Sequence, residues 1–251
     1  MSSELVVEKN SITRWGIVGT LIWSVIIAFV FLLTQIIATG IYIGFVYGKM
    51  EAKEYAGLMS TLQYNGYVLS LCTFATLFIC SGLILGIIKL KKGTRIKDYL
   101  GLHSVKPKTC FFWLLITIIY IVLSDAVTIA LGRPIVPEFM VSVYSSIDRV
   151  WVLWLALLVA APIFEEVFFR GFIFRGLSSS FIGPIGAIVL SSIAWSAIHL
   201  QYDLYGIATI FVLGLVLGTA RFVSGSVILT IGLHSFASLV AIMETALKLT
   251  H

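Results

Sequence analysis

Three polar clusters interrupt otherwise apolar stretches of this sequence. The first is Pro162-Ile163-Phe164-Glu165-Glu166-Val167-Phe168-Phe169-Arg170-Gly171, two adjacent carboxylates and an arginine in an apolar helix. At about 100° per residue Glu166 and Arg170 share a face at i, i+4 and can pair, while Glu165 points away from Glu166. One arginine needs one carboxylate. The other is left in low dielectric beside a like charge, a setting that suits a general base near neutral pH. The plainer alternative is that both glutamates only hold Arg170. The second cluster, Trp195-Ser196-Ala197-Ile198-His199, puts an indole and an imidazole one turn apart. The third, His234-Ser235-Phe236-Ala237-Ser238, again spaces two polar groups at i, i+4. A lone histidine on an apolar helix is usually a packing residue. Two on separate spans, in a chain with 4 histidines and beside a diglutamate helix, point instead to one shared site.

The elements that carry these clusters are membrane helices. Of 251 residues 59% are hydrophobic and 12% charged, with a mean hydropathy of +1.06; a soluble domain carries roughly 25% charged residues. A span needs about 20 apolar residues. That ruler predicts an all-α, polytopic transmembrane bundle of seven spans: Trp15 to Tyr47, Asn65 to Ile88, Cys110 to Leu131, Val150 to about Leu177, Phe181 to Leu200, Leu204 to Ala220 and Ser226 to about Leu247. An eighth arises if the long first stretch holds two. The polar start 1–14 is read as a cytoplasmic N-terminal segment and not a cleavable signal. Residues 15–149 then form N-terminal helices with a basic loop, and 150–251 form the helices that carry the three clusters.

The net charge of +5 and pI near 9.1 do not indicate nucleic acid, because the cations flank apolar spans. The loop Lys89 to Lys108 holds seven of them and is expected to be cytoplasmic, as in a bacterial plasma membrane. Counting outward puts the N-terminus inside, His251 outside, and 12 of the 17 Lys and Arg on the inner side. Cys72, Cys80 and Cys110 lack metal spacing and read as small buried hydrophobes. The pairs Gly82/Gly86 and Gly214/Gly218 read as sites of close helix approach. Asp125 could face a cavity but reads more readily as hydrogen bonded to Ser124 or Thr128 or paired with an arginine, and Gln35 and Gln201 read as interhelical or interfacial. One tension remains in these boundaries. Glu165 falls near mid-membrane, His199 near the outer end of its helix and His234 near the inner end of its own. A shared site therefore requires tilted, broken or offset helices, for which Ser178 to Ser180 and Gly183-Pro184 leave room.

The order Glu165-Glu166-x-x-x-Arg170, then Trp195-x-x-x-His199, then His234-x-x-x-Ser238 on successive membrane helices resembles the CPBP or Abi family. That family comprises CAAX prenyl endopeptidases and bacterial relatives linked to bacteriocin maturation and self-immunity. The resemblance covers about Val150 onward. It implies that Glu165 is the general base for a water, that His199 helps hold that water, and that Glu166 with Arg170 is structural. It implies also that His234 and residue 238 stabilise the oxyanion. Two positions depart from the family pattern. Trp195 stands where Phe is usual, expected to alter pocket shape and not chemistry, and Ser238 stands where Asn or Asp is usual. A serine hydroxyl still donates one hydrogen bond, but it is shorter than an amide and rotates freely.

The family is described both as metalloproteases and as metal-free glutamate proteases. Glu165, His199 and His234 would make a zinc set with an open position; the same three could hold water directly, and no compact H-E-x-x-H favours zinc. The leading expectation is an intramembrane endopeptidase acting on a hydrophobic or lipid-modified peptide within the lipid bilayer. The alternative is a non-catalytic immunity or peptide-binding protein that uses the same cavity, a reading Ser238 favours. A transporter is disfavoured because no matching interrupted helices recur in two halves.

Overall fold

A computed structural model describes residues 14–48 and 52–250. The expectations for residues 1–13, for Lys49 and for His251 lie outside the described residues. Apolar runs with few helix breakers fold into ten helices, and no strand occurs among the described residues. They are α1 (Ile17–Val46), α2 (Ala52–Leu62), α3 (Gly66–Leu90), α4 (Ile96–Leu100), α5 (Pro107–Ala130), α6 (Glu138–Ser145), α7 (Val150–Ser178), α8 (Gly183–Ser196), α9 (Leu204–Ser224) and α10 (Val227–Thr250). Helix ends follow local chemistry. Asn65 caps α3 by accepting from the amides of Tyr67 and Val68, and Asp203 caps α9 through Gly206. Gly225 ends α9 in the left-handed conformation.

Six of these helices are long and apolar enough to cross a membrane. The stretch expected to cross as Phe181 to Leu200 differs. It is helical only over the 14 residues of α8, about 21 Å at 1.5 Å per residue, against roughly 30 Å of hydrocarbon. Gly183 at φ +68° and Pro184 at the first turn start α8 late, and the chain leaves the helix after Ser196.

Burial identifies the central element. Half of the α7 span is buried, against 17% of α1, whose Val18, Leu21, Val25, Phe29 and Ile36 face outward as lipid-facing residues do. Phe164, Phe168, Phe169 and Phe172 of α7 pack into one core with Ile84, Ile87 and Ile88 of α3, Leu217 of α9 and Trp195 of α8. That core also takes Ile27 and Trp113, so the N-terminal helices support the helices that carry the clusters. Between α1 and α3, Gln35 donates to Thr76 at 2.8 Å, the interhelical role expected of it.

The two glycine pairs part company. A Cβ at Gly214 would sit 2.9 Å from Ser192 Cβ and 3.2 Å from Trp195, and one at Gly218 would sit 3.0 Å from Ile188. This pair lets α8 and α9 meet closely. Gly82 and Gly86 touch nothing and line a shallow groove with Trp23. Cys72 and Cys80 are buried as expected; Cys110 is exposed.

Candidate active site

Helix α7 is irregular where its carboxylates sit. Pro162 has no N–H, and its ring crowds the carbonyl four residues back. The helix widens into π-helical turns on either side, at Ala156–Ala160 and at Glu166–Ile173. Such turns recur at functional sites because they re-aim side chains without ending the helix.

The two glutamates separate as their spacing predicts. Glu166, fully buried, accepts from Arg170 Nη1 at 2.8 Å and Arg170 in turn donates through Nη2 to Gly214 O at 3.2 Å. Glu165 makes no ion pair with Arg170 among the described residues and takes a 2.5 Å hydrogen bond from Trp195 Nε1. Trp195 is the hub of the cluster. Its ring lies 4.3 Å from the Arg170 guanidinium carbon, 5.4 Å from the His199 ring and 5.1 Å from the His234 ring. The indole was expected to change only the shape of the pocket. It instead holds a carboxylate of the site, which a phenyl ring cannot do.

His234 bridges both acids. Its Nδ1 lies 3.1 Å from Glu166 Oε1, and its Nε2 lies 3.9 Å from Glu165 Oε2. Glu166 therefore serves two partners. His199 Nδ1 sits 2.9 Å from the Trp195 carbonyl, one turn back in its own chain. His199 follows the end of the short α8 with its ring against Trp195, and among the described residues no contact joins it directly to Glu165 or His234.

A cavity of about 670 Å³ opens beside this cluster, lined by Trp195, His199, His234 and Ser238 among others. Glu165 itself does not line the cavity; it lies behind two lining residues, Trp195 and His234, which it contacts. Ser238 makes no hydrogen bond among the described residues. Glu165, His199 and His234 are the residues that the sequence offers to a zinc ion; among the described residues no group of three His, Cys, Asp or Glu is arranged to hold a metal ion.

Sequence reasoning passed over Tyr202. Its ring stacks on His199 with centroids 6.3 Å apart and meets Phe139 edge-on at 5.5 Å, and it lines the same cavity. Burial pushes its phenol up to about 12, with the Glu165 charge adding to the effect, so the hydroxyl is a donor throughout the neutral range. The available signal was an aromatic three residues after His199 in a polar connection. Asp125 takes the cavity-facing alternative: it lines the cavity with Glu244 of α10 as its neighbour.

A family model described as type II CAAX prenyl endopeptidase Rce1-like matches residues 147–240. An Escherichia coli protein described as an uncharacterized 24.3 kDa protein is 32% identical over 119 residues, which is 45% of this chain and 54% of that protein. The chain thus spans about half the length of that curated relative. No solved structure matches. Residues 147–240 contain all three clusters, their side chains meet around Trp195, and it is to the Rce1-like type II CAAX prenyl endopeptidase family that this part of the chain is similar.

Proposed function

We propose that this protein is an intramembrane endopeptidase in which Glu165 draws a proton from water. The observation that carries the reading is the unequal engagement of the two carboxylates. Glu166 is occupied by Arg170 and His234, while Glu165 has one donor, Trp195, and faces His234 Nε2 across 3.9 Å. The tautomer of His234 follows from its partner. A carboxylate beside Nδ1 calls for the ring proton there, which leaves Nε2 an acceptor in the neutral ring. Two acceptors at that separation leave room for one water that donates a hydrogen to each. The same logic applies to His199, whose Nδ1 faces a carbonyl and whose Nε2 is left to accept from water or substrate.

Water loses a proton to Glu165 as its oxygen attacks the peptide carbonyl carbon. The proton then passes to the amide nitrogen as the C–N bond breaks, giving a carboxylate and an amine. Negative charge on the tetrahedral intermediate needs donors. His234 supplies one only when protonated on both nitrogens; the Ser238 and Tyr202 hydroxyls supply others. Tyr202 thereby offsets the shorter reach of Ser238. The cavity suits a hydrophobic or lipid-modified peptide, and no step calls for a metal.

The test is hydrolysis of fluorogenic lipopeptides by the purified protein, wild type beside Glu165→Ala. Cleavage lost in the variant supports the reading. Peptide binding without cleavage by the wild type would favour the immunity or peptide-binding alternative, and no binding at all would remove both.

A further inference from the structure

The helices run between two chemically distinct ends, and the cavity opens at one of them. At the first end, the Lys89–Lys108 loop joins α3 to α5. Lys91 lies 5.0 Å over the Trp15 ring near the start of α1, and the amide of Val227, the first residue of α10, donates to Gly101 O at 3.0 Å. Arg221 reaches the same end through Leu100 O at 3.2 Å. At the second end, α6 and the connections flanking α3 and α9 come together. Lys248 donates to Val136 O, and Arg133 pairs with Asp203 and lies 4.7 Å over the Tyr205 ring.

The mouth of the cavity belongs wholly to the second end. Tyr64, Arg133, Glu138, Ser142 and Asp203 line it, and no residue of the Lys89–Lys108 loop does so. Charge is divided the same way. The seven cations of that loop, with Arg14, Arg175 and Arg221, are at the first end, whereas four acids, Asp125, Glu138, Asp203 and Glu244, line the cavity with one cation, Arg133, which pairs with Asp203. Cationic connections stay on the cytoplasmic side of a membrane.

We infer that the cavity opens on the extracytoplasmic face, so that its substrate is a peptide presented outside the cytoplasm and not one made and held within it. This rests on the peptidase reading for what is cut, and on geometry and charge for where it enters. It also makes α8 a full traverse of the bundle despite its length, since α7 ends at the basic side and α9 begins at the mouth.

Two variants, each with one accessible cysteine, test it in a Cys110→Ser background, where the remaining Cys72 and Cys80 are buried. Glu138→Cys reports the mouth and Lys92→Cys the basic loop. In spheroplasts treated with a membrane-impermeant maleimide, Glu138→Cys is expected to label to the level seen after lysis, and Lys92→Cys to lose its labelling unless cells are lysed. Labelling of Lys92→Cys from outside, or protection of Glu138→Cys until lysis, overturns the inference. Should a variant not accumulate, Ser142→Cys and Lys97→Cys report the same two ends. A membrane-impermeant fluorogenic peptide added to spheroplasts carrying the unsubstituted chain, with Glu165→Ala as the control, separates the two ideas. Labelled Glu138→Cys with no peptide cleavage by the unsubstituted chain counts against the peptidase reading alone, and cleavage from outside that Glu165→Ala lacks supports both.

Discussion

At the residue scale, the site is a division of labour between neighbours that the backbone forces apart. Glu166→Gln removes the charge facing the fully buried Arg170 and is expected to destabilise the protein by about 3–5 kcal/mol, read as a lowered unfolding transition in detergent. Trp195→Phe keeps a ring against Arg170 and both imidazoles but removes the donor to Glu165. Its expected outcome is lower kcat with a stability change of about 1 kcal/mol, the worth of one hydrogen bond. Tyr202→Phe isolates the proposed oxyanion donor. A loss on the order of 100-fold in kcat with KM little changed is the result expected for such a group, and unchanged kcat would remove Tyr202 from the mechanism.

At the element scale, what the sequence revealed and what it hid follow from the range of the forces involved. The pairing of Glu166 with Arg170 was legible because four residues on a helix bring two side chains to one face. The bridge from His234 to both acids joins residues 68 positions apart in sequence, and no local period encodes it. The helix expected over Phe181 to Leu200 is shorter than its apolar run, because hydropathy measures an apolar run and not where its helix stops. Gly183, Pro184 and Asp203 carried that information. Of the glycine pairs, one packs and one does not, a difference fixed by a neighbouring helix and invisible in G-x-x-x-G itself. Gly214→Ala tests that contact. Its Cβ would meet Ser192 and Trp195, so a cost of about 1–3 kcal/mol is expected, with activity falling further than stability because Trp195 carries Glu165. Unfolding and turnover of the same preparation would show it.

At the scale of the whole molecule, the bundle is polarised. One end gathers the cations and the other opens the cavity, and the candidate site lies between them under the cover of α7 and its phenylalanines. With α8 taken as a seventh traverse, as inferred above, α1 begins on the basic side and α10 ends at the mouth. Reporter fusions at both ends of the chain are expected to fall on opposite sides of the membrane; fusions on the same side would show that α8 does not complete its traverse. The proposed catalysis depends on the assembled bundle, since α8 brings Trp195 and α10 brings His234 to Glu165 of α7. The most direct measurement is therefore the single-turnover hydrolysis rate of purified Glu165→Gln beside wild type, with the unfolding transition of each recorded. The amide keeps the shape of the side chain but cannot take a proton from water. Hydrolysis abolished at unchanged stability is the predicted result, and hydrolysis retained by a folded Glu165→Gln would contradict the account.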